Sequence, residues 1–256
     1  MVPGRSILVV GHPGHELRVY GWLLRAHPLV HVLTDGSASD GSSRVHSTTA
    51  VLDDVGATTG SIYGRMTDRQ IYEAILSRDH AQFTDLADEL ASDFVSRGID
   101  TVAGDAIEGF NPSHDVCRYV INAAVRLASA ATRRAIACYA FALDGAPGGG
   151  PGTTGEPLCV ALDDDLLERK LQAARAYTEL RDEVALALAR FGSEPFRTEY
   201  LWPVDLCDPY GWDPDSTPFY ERYGAERVAS GVYSNVVTFR EHLKPLADAL
   251  WNHSAD

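Results

Sequence analysis

Residues 7–16 read Ile-Leu-Val-Val-Gly-His-Pro-Gly-His-Glu, an apolar run that leads into a loop with two histidines, His12 and His15. Residues 101–115 read Thr-Val-Ala-Gly-Asp-Ala-Ile-Glu-Gly-Phe-Asn-Pro-Ser-His-Asp and repeat this plan with one histidine, His114. Each stretch is typical of a buried strand that feeds a loop and then a helix. Because such strand ends gather at one edge of an open parallel sheet, the sequence predicts that the three histidines converge.

Three neutral imidazoles can hold a divalent metal ion and leave one coordination position for water. His12, His15 and His114 are therefore predicted to be metal ligands. Zinc is the ion expected for such nitrogen ligands, with iron, nickel and cobalt as alternatives. A purely structural role is the competing interpretation for any one of these histidines taken singly.

Strand and helix patterns alternate along the chain. Strands are predicted at 7–10, 30–33, 61–63, 101–103 and 135–142, and helices at 15–25, 44–55, 68–76, 80–96, 114–131, 166–190 and 236–250. This alternation favours an α/β, Rossmann-like fold in which helices cover both faces of a mostly parallel, twisted sheet. We expect a single domain over residues 1–256, with a flexible Gly/Pro-rich loop at 144–156 and a helical C-terminal portion.

The composition argues against several classes of protein. The chain has 256 residues and a formal charge of −14, and an acidic surface repels phosphate backbones, so no nucleic-acid partner is expected. It contains no apolar run approaching the ~20 residues of a membrane span. The first strand begins too early to leave room for an export signal, so a cytoplasmic location is expected. The scarcity of lysine suggests a bacterial source, and a homo-oligomer is compatible with these features.

The four cysteines form no Cys-x-x-Cys pair, which argues against a thiolate zinc cluster. Cys138 and Cys159 are instead predicted to be small buried residues in strands.

The two histidine-containing loops resemble the motifs of the LmbE-like, or PIG-L, de-N-acetylases. Residues 12–16 are similar to the family's His-Pro-Asp-Asp-Glu motif, and residues 111–114 are similar to its His-Pro-Asp-His motif. The turn at residues 34–36 and the segments 166–190 and 219–250 extend the resemblance over most of the chain.

This resemblance implies an LmbE-like fold and a zinc-dependent hydrolase. The implied reaction removes an N-acyl group, such as acetyl, from an amino sugar or glycoside-like small molecule. The resemblance also implies that His12 and His114 hold the metal, with His15 at the position of the family's aspartate ligand, and that Asp35 and Arg44 lie in the substrate region.

The motifs depart from the family pattern where protons are transferred. The family's general-base aspartate is replaced by Gly14, and its second histidine, which stabilises the oxyanion or acts as acid, is replaced by Asn111. An asparagine donates hydrogen bonds but does not transfer a proton near neutral pH. We therefore expect Asn111 to hold the developing oxyanion.

Four carboxylates are candidates to replace the missing base. Asp105 is the first choice, either as proton acceptor or as the partner of a ligand imidazole. Glu16 is the second, although its place in the first turn of a helix also suits a capping role. Glu108 and Asp115 are the other two candidates.

Two classes of function remain open. One is the metal-dependent hydrolase, and the other is a family member with altered chemistry: a pseudoenzyme, a binding protein or a different enzyme. Restoring the aspartate by Gly14→Asp is expected to raise activity if the pocket still resembles that of the family.

Overall fold

The computed structural model describes residues 5–37, 41–150, 155–213 and 215–255, and within them the strands form one seven-stranded sheet. The strands are β1 (Ser6–Val10), β2 (Leu29–Thr34), β3 (Thr58–Met66), β4 (Thr101–Asp105), β5 (Ala137–Phe141), β6 (Leu158–Ala161) and β7 (Thr198–Pro203). Their order across the sheet is β3-β2-β1-β4-β5-β7-β6. Strands β1 to β5 run parallel to one another, whereas β7 runs antiparallel to β5 and β6. The predicted α/β fold with a mostly parallel sheet is confirmed.

Helices connect the strands and cover the sheet. They are α1 (Tyr20–Ala26), α2 (Val45–Val55), α3 (Asp68–Ser77), α4 (His80–Ser96), α5 (Pro112–Thr132), α6 (Asp164–Ala176), α7 (Arg181–Phe191), α8 (Phe219–Ala229) and α9 (Lys244–His253). A 3₁₀ turn, His15–Val19, precedes α1. In the described part of the chain, no helix is long and apolar enough to cross a bilayer.

The side chains of β1 alternate between two hydrophobic clusters, as a strand buried on both faces requires. Ile7 and Val9 join a cluster with residues of α4, α5 and α9. Leu8 and Val10 join a second cluster with residues of α1, α2 and α6. The strand therefore lies at the centre of the sheet, with helices on each side of it.

The structure differs from the predicted elements in the C-terminal half. The helix expected at 166–190 is interrupted at Tyr177, whose backbone is extended and whose buried hydroxyl contacts Thr48 Oγ1 at 2.9 Å. Strand β7 was not predicted, whereas β6 contains Cys159, which was predicted to lie in a strand. Cys159 lies in a strand but is exposed, so the prediction that it is buried was wrong. In the loop predicted at 144–156, residues 151–154 lie outside the described residues.

Candidate metal and substrate site

The three predicted histidines meet above the carboxyl ends of β1 and β4. These strands are neighbours in the sheet, with Val9 paired to Gly104, so the loops that follow them lie side by side. The imidazole centroids are 5.3 Å apart for His12 and His15, 5.1 Å for His12 and His114, and 4.5 Å for His15 and His114. The placement inferred from the strand ends is thus what the fold produces.

The spacing of the rings matches that of imidazoles arranged around one ion. With nitrogen–metal bonds of about 2 Å and tetrahedral angles, neighbouring ring centroids lie about 5 Å apart. Burial lowers the pKa of His15 and lowers that of His114 well below its ordinary value, because an apolar environment disfavours the charged ring. Neutral rings carry the lone pairs that a metal requires.

Asp105 holds the ring of His15. Its Oδ2 atom lies 2.9 Å from His15 Nδ1 and accepts a hydrogen bond of 2.7 Å from the backbone N–H of Gly11. The Asp105 side chain is fully buried at the end of β4. A carboxylate on one ring nitrogen fixes the orientation of a ligand histidine and leaves the other nitrogen for the metal. Of the two roles predicted for Asp105, the contacts favour the partner of a ligand imidazole.

His12 is held by hydrogen bonds at both ring nitrogens. Its Nδ1 atom lies 2.7 Å from Thr34 Oγ1 and 3.0 Å from Asp68 Oδ1, and its Nε2 atom lies 2.6 Å from Ser113 Oγ. His12 therefore has to release a hydrogen bond before it can bind a metal. Accordingly, none of the His, Cys, Asp and Glu side chains in the described ranges form a ready-made metal-binding group of three or more.

Unlike His12, His114 has a buried ring nitrogen, Nδ1, with no hydrogen-bond partner among the described residues. A buried polar atom of this kind costs free energy unless a ligand satisfies it. Together with the spacing and the neutral state of the rings, this nitrogen indicates that the three histidines fit a divalent ion, provided that His12 exchanges one contact.

Gly14 has a backbone conformation that disfavours any other residue. Its φ is 102°, and a Cβ atom added there would overlap Leu180 Cδ1. The space that a side chain at position 14 would occupy is therefore filled by a leucine side chain from the turn before α7. Glu16 lies beneath this loop, where its Oε2 atom accepts a hydrogen bond of 2.7 Å from Gly14 N–H. Burial raises the pKa of Glu16 to about 7.

Asn111 is the N-cap of α5. Its Oδ1 atom accepts hydrogen bonds from the Ser113 backbone N–H at 3.0 Å, from Ser113 Oγ at 2.7 Å and from the Tyr72 hydroxyl at 3.1 Å. These contacts use the amide oxygen and fix the plane of the amide. The side-chain nitrogen is left to donate a hydrogen bond to a ligand in the cleft that Asn111 lines.

Glu108 and Asp115 bind backbone groups. Glu108 Oε2 accepts a hydrogen bond of 2.9 Å from Leu143 N–H, and Asp115 Oδ1 accepts bonds of 3.0 and 3.3 Å from the N–H groups of Glu108 and Gly109. Burial raises the pKa of Glu108 to about 7 and that of Asp115 to about 8. These contacts favour a role in shaping the loop after β4 over that of the missing base.

The two residues predicted for the substrate region differ in position. Arg44 lines the cleft beside the histidines, and its backbone carbonyl accepts a hydrogen bond of 3.2 Å from the Tyr177 hydroxyl. Asp35 lies outside the lining of this cleft, and its Oδ1 atom accepts a hydrogen bond of 3.0 Å from Ser37 N–H.

The cleft in front of the histidines has a volume of about 460 Å³. Asp68 and Leu180 are among the lining residues that the sequence did not assign to the site. Asp68 is the first residue of α3, and the capping box formed by Thr67 and Gln70 marks that helix start in the sequence. No local pattern marks Leu180, because its contact with Gly14 depends on how α7 packs.

No family model and no curated protein matches this sequence. Among solved structures, a triple mutant of a deacetylase from the teicoplanin biosynthetic pathway is 15% identical over 78% of this chain and 97% of its own, with a TM-score of 0.53. A pseudoaglycone deacetylase of an antimicrobial reagent is 19% identical over 83% of this chain and 100% of its own, with a TM-score of 0.54. The zinc-inhibited form of a teicoplanin deacetylase is 13% identical over 78% and 99%, with a TM-score of 0.51. The chain has the fold of these deacetylases.

Proposed function

We propose that the protein is a metal-dependent amide hydrolase that removes an N-acyl group from an amino sugar or a glycoside-like small molecule. The convergence of His12, His15 and His114 beside a cleft is the observation that carries this proposal. The fold shared with deacetylases supports the reaction class. Zinc is the proposed ion, and other divalent metals are alternatives because a neighbouring structure is a zinc-inhibited form.

The residues around the cleft suit amide hydrolysis. A divalent ion held by the three histidines would polarise the amide carbonyl and lower the pKa of water. Asp105 accepts a hydrogen bond from the Nδ1–H group of His15. This hydrogen bond keeps the proton on Nδ1 and leaves the second nitrogen of the ring unprotonated. The Asn111 amide nitrogen donates a hydrogen bond to the carbonyl oxygen as negative charge develops on that oxygen.

Proton transfer is the weakest part of this arrangement. Asp105 acts on the reaction through His15, and Glu16 acts through the Gly14 loop that it holds, since both carboxylates are fully buried. Loss of a well-placed base typically slows a reaction by ~10²- to 10⁴-fold. We therefore expect slow turnover, or a substrate with an activated amide.

The direct test measures release of free amine from a panel of N-acylated amino sugars. Protein loaded with zinc, cobalt, nickel or iron is compared with chelator-treated protein, and metal content is measured in parallel. His114→Ala should lose both bound metal and amine release. The matched control is His253→Ala, because His253 does not line the cleft. Its Nε2 atom lies 2.7 Å from Asp88 Oδ1. Equal metal content and equal amine release in the two variants would refute the proposal.

The second candidate is a protein that binds an N-acylated sugar without cleaving it. The observation that favours it is the Leu180 side chain in the space that a side chain at position 14 would occupy. Calorimetric binding of an N-acylated sugar, with no amine release under any metal in the panel, would support this candidate over the hydrolase.

A further inference from the structure

An apolar wall runs along one side of the cleft. It is formed by α6, by α7 and by the turn between them, and its lining residues are Leu171, Ala174, Leu180, Val184, Ala187 and Leu188. Ligand pockets of several hundred Å³ accommodate molecules of drug size. An acetyl group occupies only a small part of a 460 Å³ cleft, so most of this wall would face solvent if acetyl were the group removed.

The pattern of α7 indicates that this face is built for a ligand. Leu180, Val184, Ala187 and Leu188 follow the i, i+4, i+7, i+8 spacing of one helical stripe, which in a globular protein normally packs into the core. Yet no residue of α7 is buried. Leu180 and Leu188 pack only in part against the second hydrophobic cluster, and the whole stripe, which stays half-buried, also lines the cleft.

The wall begins at the reacting centre. Leu180 reaches the place where a side chain at Gly14 would stand, and Gly14 lies between the candidate ligands His12 and His15. An amide held at these histidines therefore has apolar surface within one side chain of its carbonyl carbon. In an N-acylated sugar, the sugar is rich in hydroxyl groups, so the acyl chain is the part of the substrate that matches this surface.

The polar residues of the cleft come from different elements. Asp68, at the start of α3, follows β3, Asn111 follows β4, and Asp144 follows β5, so all three lie beyond the carboxyl ends of strands. These groups can bind sugar hydroxyls, whereas α6 and α7 contribute mostly aliphatic side chains to the cleft, with Lys170 and Glu183 as the charged exceptions. The cleft thus has one wall for each half of an N-acyl amino sugar.

We propose that the group held along α7 is a medium-length alkyl acyl chain rather than acetyl. This inference rests on the proposed function, because it assigns the acyl side of that substrate. Burial of a methylene contributes about 0.8 kcal/mol, or about fourfold in affinity, and half-burial about twofold. Extending the acyl group from two to eight carbons should therefore tighten binding by at least about 60-fold.

The test is calorimetric binding of N-acetyl-, N-butanoyl- and N-octanoylglucosamine to the purified protein, with octyl N-acetylglucosaminide as the comparison ligand. That glycoside carries the same octyl chain on the sugar instead of on the amide. We expect affinity to rise with acyl length and the glycoside to gain little. Affinity that does not depend on acyl length would overturn the proposal, and so would a gain confined to the octyl glycoside.

Variants on two faces of α7 locate the chain. Ala187→Trp fills the space beside the wall and should weaken N-octanoylglucosamine binding at least tenfold. Leu186→Trp is the matched control, because the neighbouring Leu186 is 69% exposed. Val184→Asn tests the same wall without added bulk and should weaken octanoyl binding by a similar factor. Equal affinities in Ala187→Trp, Val184→Asn and Leu186→Trp would place the chain elsewhere and refute the proposal.

These measurements use binding alone, so they separate the acyl pocket from hydrolysis. Binding that depends on acyl-chain length, without amine release under any metal, would support the acyl pocket and exclude the hydrolase function. Amine release from N-acetylglucosamine, with no dependence of binding on acyl-chain length, would support the hydrolase function and refute the acyl pocket.

Discussion

Replacing Gly14 with alanine should destabilise the protein by about 2–5 kcal/mol. An L-residue at positive φ costs roughly 1–2 kcal/mol, and the φ of Gly14 is 102°. The new Cβ atom would also overlap Leu180 Cδ1, and forcing an extra carbon into a packed site costs about 1–3 kcal/mol. The two terms add because one is in the backbone and the other is a contact between side chains.

A double-mutant cycle with Leu180→Ala separates the two terms. Removing the leucine side chain eliminates the overlap but leaves the backbone cost, so the double variant should be more stable than the sum of the single changes by about 1–3 kcal/mol. The free energy of unfolding is measured by urea denaturation. Gly98→Ala is the control for the backbone term, because Gly98 has φ of 60° and no atom within 4 Å of an added Cβ.

Two results would contradict this reasoning. The first is a Gly14→Ala variant within about 0.5 kcal/mol of the wild type, and the second is a cycle in which Leu180→Ala gives no relief. The same contact changes the expectation for Gly14→Asp. Since Leu180 fills the space, the single substitution should not restore a base, and activity should rise only when Leu180 is also shortened.

Three further predictions concern other buried polar groups. Asp105→Asn should weaken zinc binding by about 10- to 100-fold, because the carboxylate that orients His15 is lost; competition with a chromophoric chelator measures this. Lys170→Met should lower the free energy of unfolding by about 3–5 kcal/mol, because it leaves the buried Glu199 carboxylate without the ammonium group 2.8 Å away. Adding Glu199→Gln should recover part of that loss, as measured by urea titration. Burial raises the pKa of Glu108 from 4.5 to about 7 in the folded state. Glu108 should therefore stabilise the folded state most below pH 4.5 and lose this contribution as the pH rises through about 7. Glu108→Gln should reduce the fall in the free energy of unfolding over that pH range.

The sequence predicts the centre of the fold better than its C-terminal edge. The strand at 7–10 and the strand beginning at residue 101 are continuous apolar runs, and both are found where they were predicted. Strand β7 was missed because it carries a buried glutamate, Glu199. From sequence alone a glutamate indicates an exposed position, and only the structure shows that Glu199 is paired with Lys170. Strand β6 was predicted through Cys159, but its four residues are too few to show which side chains face the core, so the burial of Cys159 was predicted wrongly.

The candidate site shows the same division. The convergence of three histidines follows from parallel strands and their ends, so local patterns suffice to predict it. The contacts of Asp68 with His12 and of Leu180 with Gly14 join segments from distant parts of the chain. Such contacts depend on helix packing, which no single stretch of sequence specifies. The break at Tyr177 that creates the turn before α7 was missed for the same reason.

The ion pair of Lys170 and Glu199 also bears on how the chain folds during synthesis. Glu199 accepts hydrogen bonds of 2.7 and 2.9 Å from the backbone N–H groups of Gly21 and Trp22, and 177 residues separate Trp22 from Glu199. At 5–20 residues per second, a ribosome needs about 9–35 s to cover that distance. Throughout this interval the start of α1 lacks its carboxylate, and the sheet lacks β7. The N-terminal end of α1 can therefore gain this carboxylate only after most of the chain has been synthesised, although strands β1 to β4 pair with one another without it.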